Sequence, residues 1–230
     1  MQKIAIVTGA SGNLGQAVAK RFIEDGCKVI GTVHIGDTKQ IKLPSDKFEQ
    51  VAIDLADETA TSEFIANQIS KNKQLDIAVL TVGGFAMGNV ADTSTSEINK
   101  QYKLNFETAY NTARPIFLQM KKQGTGRIFL IGSRPGLAAA AGKNMIAYSL
   151  AKSLLFHLAQ LLNDEAKGSD IFTAVVVPGT IDTPQNRQSM PKADFKSWVK
   201  PEQIAEVISF HCSEASSIIR EPIIKVYGNS

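Results

Sequence analysis

The sequence predicts an α/β chain with a parallel sheet wound on both faces by helices, and three observations carry that prediction. Short apolar runs, rich in Ile, Val and Ala, recur along all 230 residues. Segments of helical period separate them, and turns marked by glycine or proline follow the runs at one end. Strands buried on both faces need no polar alternate, and that pattern belongs to parallel sheets covered by helices. The expected architecture is a single domain, residues 1–230, with a seven-stranded sheet between two helical layers.

The first unit is the most explicit. Ile4-Ala5-Ile6-Val7 reads as a buried strand, and Thr8-Gly9-Ala10-Ser11-Gly12-Asn13-Leu14-Gly15 turns at once into an amphipathic helix through Gly26. Backbone N–H groups at such a helix start attract a pyrophosphate, and side chains at Gly9, Gly12 or Gly15 would obstruct its approach. A flexible turn would also use glycines. The strand before, the helix after and a second strand at residues 28–33 favour dinucleotide binding of the Rossmann type. The end of that second strand should lie beside the adenosine ribose. Val33-His34 offers no acid for a 2′-hydroxyl, which favours NADP with His34 and Lys39 as partners, while Asp37 keeps NAD open.

Residues 49–55 form the third predicted strand. Asp54-Leu55 at its end either meets the adenine or caps the helix expected over 57–71. A fourth strand (75–82) runs into Gly83-Gly84-Phe85. The following helical pattern spans 93–123, with a kink or a local break expected at Pro115. It carries Asn105 in its apolar seam, where an unsatisfied amide would cost about 1–3 kcal/mol. Strand 126–132 ends at Ser133, and a small-residue loop (136–142) leads to a helix over 144–167 containing Tyr148 and Lys152. Strand 171–177, closed by Pro178-Gly179, and strand 218–226 complete the sheet. The marked turns all fall at strand carboxyl ends, where an open α/β sheet binds ligands.

Composition narrows the function. A net charge of +3, spread along the chain, implies no nucleic acid. No apolar run reaches membrane-spanning length, and Met1 leads directly into the first strand, so a cytoplasmic protein is expected. Cys27 and Cys212 are far apart in sequence, and His34, His157 and His211 are scattered, so no metal site is expected.

Tyr148 and Lys152 lie one helical turn apart on one face. Together with the glycine turn, Asp54, Gly83-Gly84, Asn105, Ser133 and Pro178-Gly179-x-x-x-Thr183, they resemble, over essentially the whole chain, the short-chain dehydrogenase/reductase family. The resemblance implies hydride transfer from a nicotinamide to a small carbonyl or related substrate. Tyr148 would be the proton donor, its pKa lowered by Lys152; Ser133 would bind the substrate oxygen, and Asn105 would hold a relay water. Cofactor contacts would come from Gly9, Ser11, Gly12, Asn13, Leu14, Gly15, His34, Asp54, Leu55, Gly83, Gly84, Tyr148, Lys152, Pro178, Gly179, Ile181 and Thr183. A homodimer or homotetramer is expected through the helices bearing Asn105 and Tyr148. Residues 180–198 and Gly83-Gly84-Phe85 further resemble the quinonoid dihydropteridine reductases, and Trp198 would be either a lid or an anchor. A dinucleotide-sensing protein without turnover is the rival reading, although it would have no use for the proton donor.

Overall fold

The structure, a computed structural model, describes residues 2–44 and 46–229. In chain order it places β1 (Ile4–Thr8), α1 (Asn13–Glu24), β2 (Lys28–Val33), β3 (Phe48–Ala52), α2 (Glu58–Asn72), β4 (Ile77–Leu80) and α3 (Thr95–Tyr102). A π-helical segment (Lys103–Glu107) joins α3 to α4 (Thr108–Gln123). Then come β5 (Thr125–Ile131), the single turn α5 (Arg134–Leu137), α6 (Ile146–Glu165), β6 (Asp170–Pro178), α7 (Pro184–Ser189), α8 (Pro201–Phe210) and β7 (Ile223–Val226). The seven strands form one sheet in the order β3-β2-β1-β4-β5-β6-β7, and every pair is parallel.

Alternate residues of each strand serve opposite faces. In β1, Ile6 joins a core with Ile65 of α2, Phe117 of α4 and Leu155 of α6, whereas Ala5 and Val7 join one with Phe22 of α1 and Ile204 of α8. This explains why β1, β4 and β6 lack polar alternates: both faces are covered. The winding reverses between β1 and β4. A crevice therefore opens beyond their carboxyl ends, flanked by the glycine turn and by Gly83.

Two elements depart from the sequence expectation. The 93–123 helix is not broken at Pro115, which lies inside α4; its irregularity is the π segment around Asn105. Periodicity does not register one extra residue in a turn. The last strand begins at Ile223 rather than 218, because Ile218 is 89% exposed and only residues from Ile223 pair with β6.

Candidate active site

The glycine turn is shaped by contact as much as by ligand access. Gly9 has φ +64°, and a Cβ there would come within 3.0 Å of Thr81 Oγ1. A Cβ on Gly15 would collide with the Gly9 carbonyl and the Ala10 backbone. The first turn of α1 therefore packs directly on the loop. Gly12 is its N-cap, with no side chain capping the helix, and first-turn N–H groups have no intrahelical partner. We expect Gly15→Ala to lower the urea midpoint by the equivalent of about 1–3 kcal/mol, the usual scale of overpacking, and to weaken dinucleotide binding. An unchanged midpoint would show that the turn gives way without loss.

A cavity of about 610 Å³ lies over this turn. Gly9, Ser11, Gly12, Asn13, Leu14, Gly15, His34, Asp54, Leu55, Gly83, Ile181 and Thr183 all line it. Asp54 does not cap α2. That role falls to Asp57, which accepts from Ala60 N, while Asp54 accepts from Ala56 N at 3.0 Å and faces the cavity. Beyond the end of β2, Lys39 Nζ donates to Ser11 O at 2.7 Å. A hydrogen bond from Ser11, with the Lys39 amide, holds the Asp37 carboxyl below its ordinary value. The acid and the base flagged there thus converge on one residue.

Sequence reasoning missed the far wall. Lys100, Lys103, Leu104 and Thr108 line the cavity, spaced as one face of the helical stretch. That spacing was legible; its direction was not. Asn13 Nδ2 also reaches Gln185 of α7 at 3.0 Å, tying the glycine turn to the 180–198 segment. In that segment Arg187 makes a two-point ion pair with Asp182 at 2.6 and 2.7 Å. Trp198 is buried and packs on Phe195 at 4.8 Å between centroids, the geometry of an anchor rather than a lid.

Ser133, Tyr148 and Lys152 stand beyond Gly83, outside the lining of that cavity. Ser133 ends the β5 run, and its Oγ accepts from Gly136 N at 3.1 Å. Tyr148, in the first turn of α6, lies within the influence of the Ser133 hydroxyl and meets Phe85 edge-to-face at 5.3 Å between centroids. Lys152 is buried, and its Nζ donates to Ile131 O at 2.7 Å. Gly136 allows this packing, since a Cβ there would sit 2.6 Å from Lys152 Cβ. Pro178 ends β6, and Gly179 N donates to Val226 O at 2.8 Å. Pro178, Gly179 and Gly84 also lie outside the cavity lining.

Electrostatics depart from expectation. Burial pushes the Tyr148 phenol above its ordinary value, with the Ser133 hydroxyl pulling the other way. Burial also brings the Lys152 ammonium down to about 8, because both groups lose water on folding. Sequence spacing shows the pair but not its desolvation. Among the described residues no cluster of three or more His, Cys, Asp or Glu could hold a metal, and no helix is long and apolar enough to cross a membrane.

A doubly wound sheet, a cavity at its switch point and a helix start left open by glycine define a dinucleotide-binding protein of the Rossmann class, and the cradle fits a nicotinamide dinucleotide. The chain belongs to the short-chain dehydrogenase family, whose profile, described as "short chain dehydrogenase", matches residues 3–194; it is an oxidoreductase of that family. It is 26% identical to an acetoacetyl-CoA reductase of Acinetobacter sp. over 99% of this chain and 97% of the relative. It is 28% identical to the cyclic-di-GMP-binding biofilm dispersal mediator protein of Escherichia coli over 94% and 92%. The fold is shared with the Thermoplasma acidophilum aldohexose dehydrogenase in ligand-free form, at a TM-score of 0.85 and 22% identity over 99% of this chain and 94% of the other.

Proposed function

We propose that this protein is an NADPH-preferring reductase of a small carbonyl or related unsaturated compound. The observation that carries the reading is the placing of the Ser133 hydroxyl where it acts on the Tyr148 phenol, one helical turn from buried Lys152, at the nicotinamide end expected for a dinucleotide held by the glycine turn. When bound, the nicotinamide supplies the hydride chemistry. Gly9, Gly12, Asn13, Leu14 and Gly15, which line the cavity, would hold the phosphates; Asp54 and Leu55 would face the adenine, and Ile181 and Thr183 the carboxamide.

Ser133 donates a hydrogen bond to the substrate oxygen as negative charge develops there. Tyr148 donates its phenolic proton to the same atom. Lys152 holds positive charge near that phenol and would orient the nicotinamide ribose. Asn105, expected to hold a relay water, has its side-chain amide engaged by Gly84 and Gln101, so any relay water would have to be held by other groups.

NADPH preference follows from the absence of an acid at Val33-His34 and from the basic groups His34 and Lys39. We expect His34→Asp to shift the NADPH-to-NADH efficiency ratio roughly tenfold toward NADH, equivalent to about 1.4 kcal/mol. No shift would mean that the 2′ group is read elsewhere. Exposed Tyr110, Leu118, Leu150, Leu154 and Leu161 on α4 and α6 favour association of copies through these helices, which light scattering tests.

The decisive experiment is oxidation of NADPH and NADH over a panel of carbonyls and quinonoid dihydropterins. Turnover on carbonyls is expected. Turnover on the pterin alone would favour a dihydropteridine reductase-like enzyme, a reading supported by Phe85 lying against Tyr148. Tight cofactor binding without turnover would favour a sensor.

A further inference from the structure

Asn105 is fully buried, and its amide is fully engaged. Its Oδ1 accepts from Gly84 N at 3.0 Å. Its Nδ2 donates to Gly84 O at 3.0 Å, to Gln101 O at 3.2 Å and to Gln101 Oε1 at 2.9 Å. The π segment turns Asn105 inward to make this two-sided clamp on the backbone N–H and C=O of one residue, Gly84. An amide can satisfy Gly84 in one orientation only, since turning it over would set an N–H against the Gly84 N–H. Gln101 Oε1 lies where it accepts only from Nδ2. Gln101 is itself 4% exposed, unusual for a side chain that touches neither the cavity nor the reacting groups.

The clamp bears on the site through Gly83. A Cβ on Gly83 would lie 2.7 Å from Asn105 Oδ1 and 3.0 Å from Lys152 Nζ. The amide oxygen and the ammonium therefore meet over the same Cα, and Gly83 forms the cavity wall between them. Displacing Gly84 moves that wall and the space available to Lys152.

We infer that Gln101 is a positioning residue: it fixes the orientation of the Asn105 amide and thereby holds the Gly83-Gly84 wall against Lys152. The inference extends the catalytic reading given above, but its first test does not require turnover. In Gln101→Met, which keeps length and removes the acceptor, hydrogen exchange of the Gly84 amide should accelerate at least about tenfold, while amides of β1 and β5 keep their protection. Gln101→Glu keeps an acceptor at the same reach, and Gly84 protection should stay near wild type. On a reduced carbonyl, Gln101→Met should lower kcat several-fold with KM nearly unchanged and move the high-pH limb of the rate profile; Gln101→Glu should restore kcat.

Unchanged Gly84 exchange in Gln101→Met would overturn the inference whatever the enzyme reduces. So would uniform loss of protection across the sheet, which marks a purely structural role. Faster Gly84 exchange in a protein that turns over no substrate would leave the clamp standing and overturn only the catalytic reading.

Discussion

Tyr148→Phe is expected to lower reductive turnover by at least about a hundredfold, the lower range for a lost general acid, with dinucleotide affinity nearly intact. The phenol lies beyond the residues lining the dinucleotide cavity, so removing its oxygen deletes a proton source and not a wall. The ring remains to pack against Phe85, and the Ser133 hydroxyl still accepts from Gly136 N. The fold should therefore be unaffected. Steady-state rates on a carbonyl substrate, paired with fluorescence titration of NADPH, read both quantities. A quinonoid pterin is less demanding, because solvent can protonate its product, and the loss there should be smaller. Unchanged carbonyl turnover would reject the role assigned to Tyr148.

Lys152→Met should abolish most activity and stabilise the protein. Burial lowers the Lys152 pKa from 10.5 to about 8, so the unfolded chain binds this proton more tightly than the folded one. Stability contributed by the group is lowest below pH 8, where both states are charged, and rises as pH climbs from about 8 toward 10.5. The penalty at pH 7 is on the order of 3 kcal/mol. Loss of the hydrogen bond to Ile131 O offsets about 1 kcal/mol of it. The net gain of about 2 kcal/mol corresponds to a Tm increase of roughly 5 °C for a chain of this size. The variant should also lose the rise in Tm between pH 8 and 10.5. A lower Tm at pH 7 would show that the ammonium is held by favourable contacts and not strained by burial. Such a conflict between stability and function is common at catalytic sites.

Much of this was legible in the residues. Strand–turn–helix order placed the sheet, because doubly buried strands and short loops leave few alternatives. The glycine turn, Ser133 and the Tyr148-x-x-x-Lys152 pair are local patterns, and local patterns survive in one dimension. Three features were not local. The π segment adds one residue to a turn without altering which residues are apolar, and Pro115, the apparent breaker, is accommodated inside α4. The Gln101–Asn105–Gly84 clamp links the α3–π stretch to the turn after β4, a pairing that only the fold creates. The desolvation that raises Tyr148 and lowers Lys152 depends on packing from α5 and β5, so charge proximity read from spacing gave the wrong direction for the phenol.

The most direct test of the central claim, that the Tyr148–Lys152 pair delivers a proton to the substrate oxygen, is the pH dependence of single-turnover cofactor oxidation by NADPH-saturated enzyme. Wild type should hold a level rate at low pH that falls above about pH 8, as the Lys152 ammonium is lost, and Tyr148→Phe should be slow throughout without that limb. A reductive rate that climbs with pH, or a wild-type profile that persists in Tyr148→Phe, would contradict it.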